Sequence, residues 1–374
     1  MSKARRIVLL VCSALLVLYH SSAGAQPKDI VIGVATAMTG SGAATGQQIA
    51  SGVALAVKEV NAAGGIKGSK VKLVVEDDRT LPGGAVNAFN KLVSEKPEVI
   101  IGPTWTNFML TLSPIIKRNK IPVLTSATGT KVTDPDVSGG WIFRSAPSIG
   151  TTIQQLVGYV AKTIAPKRPA IIYSNDEWGK SGYEAFKSGG IKFAAEETFN
   201  FGDKDVSAQV LKLKEANPDA VVIWNSVPAD AGLITNQIRQ FIPSAKIIGS
   251  SALAVDEYYQ LARSGGDGVV TIAAWVPGST PQSGDWAKRL KANDPNAILS
   301  FTSAQSYDAA MIAFRAIKAA ADLKPETIRA ALAEIKDYDG VVGKYAFDER
   351  GDGLHAAKVV EWQNGVMKPV GGSE

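Results

Sequence analysis

Residues 30–68 read IVIGVATAMTGSGAATGQQIASGVALAVKEVNAAGGIKG, and few local structures are open to them. A short, unbroken apolar run comes first, then a glycine-rich turn. Ile49, Val53, Val57 and Val60 follow at the spacing of one helical face, and Asn61 with Gly64-Gly65 stops the helix. An apolar run without alternation belongs to a strand buried on both faces, which is the habit of parallel sheets. Similar runs recur at 71–75, 99–101, 122–124, 170–173, 220–224 and 246–248. Between them lie helical patterns at 48–60, 86–94, 153–163, 183–188, 207–215, 231–241, 306–321 and 325–334. Repeated strand–helix–strand units predict an α/β fold of doubly wound sheets with right-handed crossovers.

The N-terminus reads as an export signal. Lys3, Arg5 and Arg6 precede an apolar run over 7–18, and Ala23-Gly24-Ala25 supplies the small residues of a cleavage site. The run is shorter than the ~20 residues a membrane span needs, so residues 1–25 are expected to be removed and the mature chain to begin at Gln26, outside the cytoplasm. Cys12 lies inside the run with no small residues just ahead of it, which speaks against lipid attachment. The only Cys and one of the two His (His20) leave with the signal, so His355 alone remains. Disulfides, thiolate chemistry and metal sites built on several Cys or His are thereby excluded, and no cofactor or metal is expected. The signal also carries three of the 40 basic residues, leaving 37 against 35 acidic ones. That balance gives no electrostatic footprint for nucleic acid or an anionic membrane. The 349 residues left of 374 exceed one comfortable core and suit two lobes.

Most motifs that could carry chemistry fail on spacing. Gly40-Ser41-Gly42 with Gly46 nearly matches a dinucleotide fingerprint, but position 45 is Thr and no acidic residue follows at a second strand end. Asp348-Glu349-Arg350-Gly351-Asp352-Gly353 resembles a calcium loop whose third position is Arg350 and whose twelfth is Val359. It reads as a turn. Asp77-Asp78 at a strand end suits the holding of loop amides better than paired acid catalysis. His355 has no nucleophile elbow to serve.

What remains is the set of loops just beyond strand C-termini, where open α/β sheets bind ligands. Gly102-Pro103-Thr104-Trp105-Thr106-Asn107-Phe108 follows one run, and Thr125-Ser126-Ala127-Thr128-Gly129-Thr130 follows another. Hydroxyls beside the free N–H groups of a helix start suit a carboxylate, although Ser and Thr at such places also simply cap helices.

The chain is similar to the periplasmic solute-binding proteins of branched-chain amino-acid-type ABC transporters. The matching stretches are IVIGVATAMTG, TGQQIASGVALAVKEVNAAGGIKG with KVKLVVEDD, VIIGPTWT, IPVLTSAT, AIIYSNDEWGKSG, PDAVVIW and FDERGDG, in order along nearly the whole mature chain. The resemblance implies a type I periplasmic binding protein: two doubly wound lobes with three crossovers, near 144–147, 273–276 and 353–356. Lobe one then takes 26–145 plus 275–353, and lobe two 146–274 plus 354–374. It implies that Thr106 holds the ligand carboxylate, that Ala127 and Thr128, beside Ser126, add a carbonyl and a hydroxyl, and that Thr45 lines the far wall. Trp178 of the second lobe closes over the ligand side chain. Trp105 and Phe108 make the pocket aromatic, while Trp224, on a central strand, is expected in the core. Where the family often has a Tyr this chain has Val227, and where it has a Glu for the ammonium this chain has Ser251, or Ala252 allowing one residue of slippage.

Two ligands stay open on this reading. One is an aromatic or apolar monocarboxylate without an amine, which the missing acid favours. The other is an apolar amino acid whose ammonium meets Asp230 or another acid. The partners implied are a membrane permease and, through it, a cytoplasmic ATPase, with the binding protein itself a monomer. A periplasmic enzyme using Asp77, Asp78 or His355, or a sensory subunit on the same fold, are the competing classes.

Overall fold

The computed structural model describes residues 28–276, 278, 280–353 and 357–370. The export signal and His355 lie outside the described residues, as does most of the segment expected to make the third crossover. β1 (Ile30–Thr36), β2 (Val71–Asp77), β3 (Val99–Ile101), β4 (Val123–Thr125) and β5 (Ile142–Arg144) form a parallel sheet in the order β2-β1-β3-β4-β5. β6 (Pro169–Ser174), β7 (Ala195–Phe199), β8 (Ala220–Trp224), β9 (Lys246–Gly249) and β10 (Val270–Ala273) begin a second sheet. A two-stranded ribbon, β11 (Tyr338–Asp339) with β12 (Lys344–Tyr345), comes before β13 (Lys358–Gln363) and β14 (Val366–Pro369). The second sheet runs β14-β13-β10-β9-β8-β6-β7. Its β7-β6-β8-β9-β10 portion repeats the order of the first, and β13 and β14 pair antiparallel at one edge. Both sheets therefore reverse winding beside their first strand, and such a switch point opens a crevice at the strand C-termini.

Each sheet is covered on both faces. Helices Ala43–Ala62, Pro281–Asn293 and Phe301–Ala319 pack on one face of the first sheet, and Pro82–Ser94 and Thr106–Asn119 on the other. Helices Ser207–Glu215 and Pro228–Phe241 cover one face of the second, and Ile149–Tyr159 and Glu177–Ser188 the other. β1 and β8 are buried along their whole length, as apolar central strands must be. The chain leaves the first sheet after Arg144, returns after Ala273, and passes back between Phe347 and Lys358.

The differences from the sequence reading have simple causes. The antiparallel β13 and β14, the edge strand β7 and the short strands β5 and β10 lie outside the apolar runs named above. β7 reads AEETF with alternate residues exposed, so it lacks the continuous apolar run of its neighbours. Helix Thr106–Asn119 carries Pro114 and begins inside a hydroxyl-rich loop, which hides its period. The Gly40–Gly46 stretch is structural. A Cβ on Gly46 would lie 1.7 Å from the Ala37 carbonyl, so glycine lets the helix start pack on the loop after β1.

Candidate functional site

On the first sheet, the loops after β1, β3 and β4 pack into one rim. Asp77 Oδ1 accepts the amides of Met38, Thr39 and Arg79 at 2.9, 3.1 and 2.8 Å, and Oδ2 accepts the Thr39 hydroxyl at 2.6 Å. Burial opposes ionisation of Asp77, but the Thr39 hydroxyl and these amides bring its carboxyl below the usual range. Asp78, 1% exposed, accepts the Thr80 amide at 2.8 Å, and burial pushes its carboxyl up. Both aspartates thus hold the loop.

Thr106 is the first residue of its helix, after Trp105 at the cap position, and no side chain caps that end. The Thr106 hydroxyl instead accepts the Gly129 amide at 3.2 Å, which ties the loop after β3 to the loop after β4. Thr104 and Ser126 join the same loops through a 2.6 Å hydroxyl pair. Of the first N–H groups of the helix, that of Phe108 is taken by Asn107 Oδ1 at 3.1 Å, and a helix start is a setting that favours negative charge.

On the second sheet, Asp176 caps helix Glu177–Ser188, accepting the Gly179 amide and the Ser174 hydroxyl, each at 2.8 Å. That fixes Trp178 in the first turn. Its indole stacks on Trp224, with centroids 5.1 Å apart and planes 15° from parallel, and Phe186 meets Trp224 edge-on at 5.4 Å. Gly182 permits this, since a Cβ there would lie 2.0 Å from Trp224 Nε1. On its far side Trp178 Nε1 donates to the Thr128 hydroxyl at 2.6 Å. A helix-start residue beside the second sheet therefore touches a loop hydroxyl of the first.

A family model for periplasmic binding proteins matches residues 29–366. The chain belongs to that family. This periplasmic binding protein is 30% identical over 352 residues to the Leu/Ile/Val-binding protein homolog 3 of Brucella melitensis, spanning 92% of this chain and 94% of the relative. It superposes with a TM-score of 0.83 on the periplasmic binding protein type 1 of Bordetella pertussis Tohama I, at 27% identity, covering 91% of this chain and 100% of that one. The same TM-score of 0.83 relates its fold to the branched-chain amino acid transporter substrate-binding protein LivJ of Streptococcus pneumoniae, solved with isoleucine, at 24% identity over 91% and 98% of the chains. The fold is that of type I periplasmic binding proteins, and family membership implies a place outside the cytoplasm.

The binding protein gathers only some of the residues singled out in its sequence. Thr106, Thr128 and Trp178 are linked through Gly129 and the hydrogen bonds above, and Ala127 is buried beside them with its amide 3.0 Å from the Thr125 hydroxyl. Trp105 is half-buried, its ring closing on Gly42, and Thr45 is half-buried in the first turn of helix Ala43–Ala62. Phe108 is a correction: at 4% exposure it belongs to the core with Met109 and Leu112, because its helix turns it away from the loops. Trp224 is buried as expected, and it also backs the Trp178 ring.

Val227 caps helix Pro228–Phe241, its carbonyl held by Asn225 Nδ2 at 2.7 Å, while Ser251 is exposed at the start of the turn Ser251–Leu253. Asp230 accepts the Gly202 amide at 3.3 Å, and burial raises its carboxyl. The Asp348 turn is a turn: Asp348 Oδ1 accepts the amides of Arg350 and Asp352 at 2.9 and 2.8 Å. No metal-holding cluster of His, Cys, Asp or Glu occurs among the described residues.

Sequence reasoning missed Arg144. Its guanidinium binds the Thr128 carbonyl, the Thr133 hydroxyl and the Asp352 carboxylate. A lone Arg at the end of an apolar strand was its only signal.

Proposed function

We propose that this protein captures a small carboxylate-bearing solute between two hinged lobes and delivers it to a membrane permease of an ABC importer. The lobes on this reading comprise 26–145 plus 275–353, and 146–274 plus 354–374. The 2.6 Å bond from Trp178 to Thr128 carries the proposal, because it joins the strand-end loops of the two sheets across the crevice. The carboxylate would lie at the start of helix Thr106–Asn119, taking its free N–H groups and the Thr106 hydroxyl. Trp178 would cover the apolar part, with Thr45, Trp105, Ser126, Val227 and Ser251 around it. Closure then presents one surface formed by both lobes to the permease.

The ligand we favour is an aromatic or apolar monocarboxylate without an amine. A buried ammonium without an acid costs several kcal/mol, at least ~3. Ser251 supplies no acid, and Asp230 is already engaged with the loop at Gly202. Charged hydrogen bonds to a carboxylate contribute roughly 1.5–3 kcal/mol each, and covering ~150 Å² of apolar surface adds about 3–4. Net of association costs, these reach the ~8 kcal/mol of a micromolar complex. The second reading, an apolar amino acid, is favoured by the names of the relatives. Calorimetric titration of refolded, ligand-free protein with benzoate, cinnamate, leucine and isoleucine decides between them. Binding of the aromatic acids is expected, and tight leucine binding with no response to benzoate overturns the preference.

A further inference from the structure

We infer that Arg144 is a positioning residue that couples the carboxylate-binding loop to the hinge, so that filling the loop favours lobe closure. The inference rests on the carboxylate site proposed above. Arg144 is the last residue of β5, its side chain is 0% exposed, and the chain leaves the first sheet immediately after it. Its Nη2 donates to the Thr133 hydroxyl at 2.9 Å and Nη1 donates to the Thr128 carbonyl, while Nε lies 2.9 Å from Asp352 Oδ1 as an ion pair without hydrogen-bond alignment. Thr133 in turn donates to Asp352 at 2.6 Å. The backbone repeats the connection: Arg144 N–H meets the Gly351 carbonyl at 2.8 Å, and Gly353 N–H meets the Arg144 carbonyl at 2.9 Å. One guanidinium thus joins two inter-sheet connections and the loop that holds Thr128.

A buried guanidinium is costly unless its planar fork stays matched, so these segments move together rather than singly. Thr128 is the point where that unit meets the second sheet. Its carbonyl also accepts the amide of Ile149, the first residue of the next helix, at 2.9 Å, and its hydroxyl accepts Trp178 at 2.6 Å. A ligand that settles the Thr128 loop therefore settles the hinge strands and the hydroxyl that receives the lid. Arg144 acts through Thr128 and does not touch the solute.

The test uses the mature chain, from which Cys12 is absent once residues 1–25 are removed, so two introduced cysteines are unique. Leu81→Cys and Phe201→Cys place fluorophores at sites 58% and 47% exposed, one beyond a strand of each sheet. The probe is whichever of benzoate and leucine binds more tightly. In Arg144→Lys, whose single ammonium cannot span three partners, the ratio of closed to open protein at saturating probe should fall about tenfold and probe release should quicken about tenfold. Thr133→Val guards against failure to fold and should shift both in the same direction, about fivefold. A purely structural role would lower the melting temperature and leave closure and release unchanged, which overturns the inference. Thr106→Ala, run alongside, separates the two readings: weakened binding there with normal closure in both hinge variants rejects only the coupling. Normal binding in Thr106→Ala rejects the carboxylate site instead.

Discussion

Thr106 begins a helix without capping it, and its hydroxyl accepts the Gly129 amide, so it orders the neighbouring loop. Replacing it by Ala removes a hydroxyl from a charged partner and loosens the loop at once. Affinity for the carboxylate should fall more than tenfold, measured by titration, whichever ligand class is correct. Trp178 divides into two contributions. Trp178→Phe keeps an aromatic face but loses the bond to Thr128, and should cost about 0.5–1.5 kcal/mol of affinity. Trp178→Ala also uncovers the solute and should cost about 3–4 kcal/mol. Equal effects from the two substitutions would mean that the ring covers nothing. Thr106 was visible in the sequence because it lies directly after an apolar run, and Trp178 through the family resemblance alone, since it sits in the first turn of a helix. Arg144 was not, since its charge partner Asp352 comes from a distant segment that meets it only in the fold.

The elements follow the same division between local and distant information. Central strands such as β1 and β8 were legible because burial on both faces demands an unbroken apolar run. The edge strands β7 and β14, and β13 beside β14, were not, because exposed positions permit the polar residues found in them. Helix Phe301–Ala319 shows a third case, a long apolar helix with a buried acid. Asp308, 0% exposed, accepts the amides of Val341 and Val342 at 2.8 Å each and so ties the helix to the segment beside β12. Burial outweighs those amides and pushes its carboxyl up to about 7. Because its folded pKa lies above the unfolded one, the native state holds a proton that the unfolded chain has lost between about pH 4 and 7. Its contribution to stability is therefore greatest at the acid end of that window and declines as pH rises. The stability difference between the protein and Asp308→Asn should shrink by on the order of 4 kcal/mol across it, read from denaturant titrations. A difference independent of pH would mean that Asp308 is ionised throughout.

At the scale of the whole molecule, the strand order β2-β1-β3-β4-β5 is repeated in the second sheet, so each sheet has its own switch point, and the segment 351–353 pairs with the backbone of Arg144 where the chain leaves the first sheet. Two halves of that kind can separate by bending a few backbone positions while each keeps its core. On the proposed function, closure is set by what lies between Thr106, Thr128 and Trp178. The most direct measurement is a crystal structure of the protein with its solute bound. The account predicts a carboxylate within hydrogen-bond distance of the Thr106 hydroxyl and the first amides of its helix, with the Trp178 ring packed on the apolar part. A solute seated elsewhere, or one held with its carboxylate away from Thr106 and Thr128, would contradict it.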